Sequence, residues 1–132
     1  LQKLGMKRAI VIYGNGGLDE ASLQGDNKII FLENGELKKN VVNISEFNYE
    51  NVQNDELIVS SDLSNEEILI SVLKGTGKES HINVVAFNTA LVLWAAGIED
   101  DLAKCLKIAL SVIKNGSSWD KFIQLKKYLK DN

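Results

Sequence analysis

The hydrophobic positions change period once along the chain, dividing it into a β-rich first part and a helical second part. Arg8-Ala9-Ile10-Val11-Ile12-Tyr13 is a nearly unbroken apolar run that stops at Gly14-Asn15-Gly16-Gly17. Such a run predicts a strand buried on both faces that ends in a flexible loop, as in α/β sheets. Lys28 to Leu32 and Leu37 to Val42 are β-prone and flank Glu33-Asn34-Gly35-Glu36. An Asn-Gly turn between such runs predicts an antiparallel hairpin. Ser45 to Ser61 is polar, with isolated Phe47, Tyr49, Val52, Leu57 and Ile58, and reads as a long irregular connection. Helical spacing then takes over. Ser64-Asn65-Glu66-Glu67 matches a capping box, followed by Ile68, Leu69, Val72 and Leu73 on one face and a stop near Gly75. A second helix is predicted from Asn83 to Ala96 with Gly97 as its cap. A third runs from Asp100 to Lys114 and buries Leu102, Leu106, Ala109, Leu110 and Ile113. A fourth, capped by Ser118, carries Trp119, Phe122, Ile123, Leu125, Tyr128 and Leu129.

Composition narrows the function classes. The 132 residues suit a single domain, 1–132, able to bury about two-thirds of its unfolded surface. Apolar residues make up 45% and charged residues 25%, the balance of a globular protein. A net charge of −3 and a pI near 5.2 give no basic field for nucleic acid. Lys121, Lys126, Lys127 and Lys130 read as the wet face and end of the last helix, where cations suit the dipole. The single Cys105 excludes an internal disulfide, which fits a reducing cytoplasm, and lies on an amphipathic helix as a packing residue. The longest apolar run, Val84 to Ile98, is too short to span a bilayer, so no membrane role is expected and the run reads as a core helix. Within it Asn88 needs a hydrogen-bonding partner if buried. The opening Leu1-Gln2-Lys3-Leu4-Gly5 reads like the end of a helix that began earlier, the expectation for an excised or truncated chain.

The segment with the most chemistry is Gly14 to Ser22, where Asp19 and Glu20 stand side by side beyond a glycine-rich turn. Ligands of α/β sheets bind beyond the C-terminal ends of strands. Adjacent carboxylates are hard oxygen donors, and Mg²⁺ typically takes one or two of them while keeping water and substrate phosphate in its other positions. On spacing alone, a solvated turn or helix start is the commoner use of such a pair. Gly75-Thr76-Gly77-Lys78 lacks the earlier glycine, the following Ser or Thr and the preceding strand of a P-loop. His81, the only histidine, has no nucleophile or metal partner implied by sequence and reads as an exposed residue in a polar loop or at a helix start.

Leu4-Gly5-Met6-Lys7-Arg8-Ala9, the strand after it, and Gly17-Leu18-Asp19-Glu20-Ala21-Ser22 together resemble a stretch of the anthranilate phosphoribosyltransferases. Asp62 to Leu69, Asn83 to Leu91 and Asn115 to Phe122 resemble later segments of that family in the same order, its cyanobacterial members in particular. The resemblance implies the C-terminal portion of a phosphoribosyltransferase/nucleoside-phosphorylase-like α/β domain. It implies tryptophan biosynthesis, transfer of phosphoribosyl from phosphoribosyl diphosphate to anthranilate, and a homodimeric parent. It also implies that Asp19 and Glu20 hold Mg²⁺ on the diphosphate. No catalytic residue is assigned beyond this pair. The family's helical domain, diphosphate-binding loop and main anthranilate contacts precede the matched stretch, so the chain alone is expected to be inactive. Departures stand at Tyr13, commonly His in the family, at Val59-Ser60 or Ser60-Ser61, commonly Gly-Gly, and near Cys105, commonly Gly. They favour the alternative, a non-catalytic binding module or paralogue on the same fold.

Overall fold

The computed structural model describes residues 1–58 and 63–131. Three strands, β1 (Arg8–Tyr13), β2 (Asn27–Glu33) and β3 (Glu36–Val42), form an antiparallel sheet in the order β1-β2-β3. Four helices follow: α1 (Asn65–Leu73), α2 (Glu79–Ala95), α3 (Leu102–Lys114) and α4 (Ser117–Asp131). The architecture is the expected α/β one, with the two β-prone runs joined as a hairpin. Asn34 and Gly35 both have positive φ, 49° and 85°, and Glu33 pairs with Glu36, as a two-residue turn of the hairpin-favouring hand requires. The connection expected over Ser45 to Ser61 contains two short 3₁₀ turns, Ile44–Phe47 and Asn54–Leu57, and residues 59–61 of it lie outside the described residues.

The core lies where α2 crosses the sheet. Ile29 of β2 is fully buried with Ala86, Phe87, Ala90 and Leu91 of α2, and Ile10 and Ile12 of β1 pack against them. Phe31 stacks on Trp94 with ring centroids 4.6 Å apart. The opposite side of α2 meets α3, whose Leu102, Cys105, Leu106, Ala109, Leu110 and Ile113 form one buried stripe. α2 is therefore apolar nearly all round because it is covered from two sides, whereas α3 faces solvent along one side. No helix among the described residues is long and apolar enough to cross a membrane. Burial pushes the Cys105 thiol pKa up, with Glu99 and Asp101 adding to the shift, as befits a packing residue.

Arg8 fixes the angle between sheet and helix. Its guanidinium donates to Glu33 at 2.7 Å and to the carbonyls of Trp94 and Ala95 at 2.8 and 3.2 Å, and it lies over the Phe31 ring. A cation at the C-terminal end of α2 also suits the helix dipole.

β1 is covered on one face only. Val11 and Tyr13 are exposed, and Leu1, Ala9, Val11, Ile30, Leu32 and Leu37 line an open apolar hollow of about 340 Å³ on the far side of the sheet. An all-apolar run is compatible with either arrangement, because alternation is erased when both faces carry apolar side chains.

The helix ends are part legible and part not. The capping box at Ser64 forms as read, the Glu67 amide donating to the Ser64 hydroxyl while the Ser64 amide and hydroxyl donate to the Glu67 carboxylate and lower its pKa. α2 begins at Glu79, four residues before the expected Asn83, because Lys78 caps it without a side-chain hydrogen bond and so leaves no signature. His81 therefore lies in its first helical turn rather than in a loop, half-buried, with Nε2 unpaired among the described residues. Ser118 does not cap α4; it sits inside the helix and donates to the Leu73 carbonyl at 2.7 Å, tying α4 to α1. None of α4's residues is buried.

Candidate functional site

The glycine turn after β1 folds back on itself. The Gly14 amide donates to the Leu18 carbonyl at 2.9 Å and the Gly17 amide to the Gly14 carbonyl at 3.1 Å, so residues 14–18 form a closed turn at the strand end. Asp19 and Glu20 leave this turn exposed to solvent, and neither carboxylate has a partner among the described residues. Immediately after them the chain dives inward: Ala21, Ser22 and Leu23 are almost completely buried. An exposed pair of charges thus stands on a buried footing.

Three residues build that footing. Asn27, fully buried at the start of β2, accepts from the Ser22 amide at 2.7 Å and the Asn15 amide at 3.3 Å. Its amide group donates to the carbonyls of Ser22 at 2.9 Å and Val42 at 3.2 Å. One side chain therefore joins both shoulders of the loop to the hairpin. Asn88, in the middle of α2, accepts from the Ala21 amide and donates to the Ala21 carbonyl, both at 2.9 Å. Ser22 donates its hydroxyl to Asn54 at 2.6 Å and accepts from the Gln24 amide at 2.8 Å, holding the far side of the loop. Sequence reasoning named Asn88 as needing a partner but did not find Ala21, and it missed Asn27. The only local signal for Asn27 is a polar residue at the head of an apolar run.

Gly14 is required by space rather than by φ. A Cβ built there would collide with the Glu20 carbonyl oxygen and lie 3.1 Å from the Leu18 Cβ. Gly14→Ala is expected to displace the Glu20 backbone and cost about 1–3 kcal/mol. Urea midpoints and the amide shifts of residues 18–22 check this; unchanged shifts there would show that the turn has slack. The ring of Tyr13 is exposed and its hydroxyl approaches Gly17, so the position where the family commonly has His flanks the turn.

The other motifs do not converge on this loop. Lys78 donates to the Glu56 carbonyl at 2.9 Å, and Gly77 packs against Val72 and Ser71, so Gly75 to Lys78 is a helix connection with its lysine engaged. Among the described residues no three His, Cys, Asp or Glu side chains gather as a closed metal site. Asp19 and Glu20 offer two hard oxygen donors with open space around them, which fits an ion that shares its other positions with water and phosphate. Asp62 and the Val59 to Ser61 departures lie outside the described residues.

The α/β domain of a glycosyl transferase family matches residues 1–119, and the chain belongs to that family. Within it the chain is similar to anthranilate phosphoribosyltransferases. It is 62% identical over 132 residues to that of Prochlorococcus marinus strain AS9601 and 42% identical over 126 residues to that of Synechococcus sp. strain CC9311. These matches cover 100% and 96% of the chain but only 38% and 36% of the relatives' own lengths. Among solved structures, the anthranilate phosphoribosyltransferase of Thermus thermophilus superposes with a TM-score of 0.79 at 23% identity, over 98% of this chain and 36% of that one. The Saccharomyces cerevisiae enzyme in complex with PRPP and Mg gives 0.72 at 22% identity, over 86% and 32%. These superpositions show the shared fold.

Proposed function

We propose that the chain is the C-terminal portion of an α/β domain in an enzyme that transfers phosphoribosyl from phosphoribosyl diphosphate to the anthranilate amine and releases diphosphate. The observation that carries this reading is the 62% identity to the P. marinus enzyme over all 132 residues. In this reading Asp19 and Glu20 are the Mg²⁺ ligands that this chain contributes. When bound, the ion would offset charge building on the departing diphosphate as the ribose carbon becomes cationic. The chain's own work is to hold two carboxylates still at the strand end, on the footing of Asn27, Asn88 and Ser22. Contacts to anthranilate and the diphosphate-binding loop are assigned to the part of the enzyme outside this chain, so the chain alone is inactive. A cytoplasmic enzyme suits the free, buried Cys105, and a homodimeric parent belongs to the same proposal.

A second reading, a non-catalytic module or paralogue, is favoured by Tyr13, whose ring flanks the turn where the family commonly has His. A hybrid decides between them: this chain substituted for the matching 38% of the P. marinus AS9601 enzyme. Turnover within about tenfold of the intact relative, about 1.4 kcal/mol in barrier, is the expected result. A folded hybrid with no turnover would overturn the enzymatic reading in favour of the module.

A further inference from the structure

We infer that Asn88 is a positioning residue for the Asp19–Glu20 pair: a helix without a reacting group sets where the two carboxylates stand. The inference rests on the proposed metal-binding role of that pair and names what orients it.

The geometry centres on one peptide unit. The amide of Ala21 belongs to the same plane as the carbonyl of Glu20, and in a trans peptide the two point in opposite directions. The amide edge is held by Asn88 Oδ1 at 2.9 Å. The carbonyl edge rests against Gly14, so closely that a Cβ there would collide with it. Held on both edges, the plane cannot swing, and the Glu20 Cα at its corner is fixed. The Asn88 amide group adds a second bond to the same residue, donating to the Ala21 carbonyl at 2.9 Å. Asn88 thus serves Ala21 as a neighbouring strand would, satisfying its donor and its acceptor together. It is itself oriented by donating to the Val84 carbonyl at 3.0 Å, one turn back on α2. Thr89, next to it, bonds only within the helix among the described residues, to Val85 at 2.7 Å. The grip on the loop belongs to position 88 rather than to the helix surface in general.

Groups that orient metal ligands from behind change metal affinity about 10–100-fold when removed. The deciding measurement is paramagnetic broadening by Mn²⁺, standing in for Mg²⁺, in amide spectra of the ¹⁵N-labelled chain. The acidic run Glu99-Asp100-Asp101 serves as an internal reference. In the native chain, amides 18–21 should broaden at lower Mn²⁺ than those of 99–101. Asn88→Ala should cut that preference about tenfold. Asn88→Ser keeps a hydroxyl for Val84 but is too short to reach Ala21, and it should behave the same way should the alanine variant not fold. Ile113→Ala truncates the core beside Gly75, away from the loop, and should retain the preference. In the hybrid enzyme, Asn88→Ala should raise the Mg²⁺ needed for half-maximal rate, with turnover recovering at saturating Mg²⁺. No preference for 18–21 in the native chain overturns the metal role of Asp19 and Glu20, and this inference with it. A preference that survives both Asn88 variants overturns this inference alone, as does one that Ile113→Ala also abolishes.

Discussion

Asp19→Asn combined with Glu20→Gln is expected to lower turnover of the hybrid enzyme by about 10²–10³-fold, the scale of losing one preorganised group that stabilises transition-state charge. The fold should be indifferent. Both side chains are exposed and unpaired among the described residues, and substitutions at such positions usually shift stability by no more than about 0.5 kcal/mol. A large kinetic effect with a flat stability effect is the signature of groups kept for chemistry. The amide replacements preserve shape while removing charge, so Mg²⁺ dependence is the sharper readout: the ion needed for half-maximal rate should rise in the double variant. Each single variant should retain part of the effect, because one carboxylate can still anchor a largely hydrated ion. Equal turnover and equal Mg²⁺ dependence in the double variant would remove these residues from the reaction.

Features with local causes were legible in the sequence. The Asn34-Gly35 turn depends on two adjacent residues that accept positive φ, and the Ser64 to Glu67 box closes over three residues. The buried stripe of α3 follows from 3.6-residue spacing: all five positions read as its core are buried, as is Cys105, read as a packing residue on the same helix. Illegible features have partners far along the chain or no side-chain signature. Ser118 matches a cap by type but donates across 45 positions to Leu73. The start of α2 lacks any capping group, so the apolar periodicity that reveals the helix appears a turn after the helix begins.

The site divides the same way. Asp19 and Glu20 are visible as an adjacent pair after a glycine turn, since exposed chemistry needs no partner to be noticed. What holds them is not visible. Asn88 is 67 positions from Ala21, and nothing in either segment specifies the other. Asn27 looks like the polar residue preceding a strand, and only folding reveals that it joins Asn15, Ser22 and Val42. Gly14 appears as one of several flexible glycines, yet its backbone does not need positive φ; it needs the room taken by the Glu20 carbonyl. Composition therefore locates the carboxylates, while their precision comes from long-range bonds that a single sequence does not display.

The largest stability effect is expected at Asn27. In Asn27→Ala the amide of Ser22 and the carbonyls of Ser22 and Val42 lose their side-chain partner in a buried place, and the part-buried amide of Asn15 loses it too. Each buried group left unsatisfied costs about 1–3 kcal/mol, and relaxation recovers part of the sum, so a loss of about 3–5 kcal/mol is expected. That is a large share of the roughly 5–15 kcal/mol that holds a typical domain together. Urea unfolding of the chain measures it, and amide exchange should show the protection of Ser22 falling first. Asn27→Asp separates the donor half of the role from the acceptor half. The carboxylate still accepts from Ser22 and Asn15 but faces the Ser22 and Val42 carbonyls without a proton to donate. Burial and those carbonyls raise its folded-state pKa above the unfolded value, by more than the two amide bonds, which favour the carboxylate, lower it. The protonated form is then favoured by folding, so this variant should come closest to the native chain in acid and fall away as pH rises through the raised pKa. A gap from the native chain that stays constant with pH would show that the donor half contributes nothing. A loss under about 1 kcal/mol in Asn27→Ala, the ordinary cost of a substitution, would show that the loop stands without it.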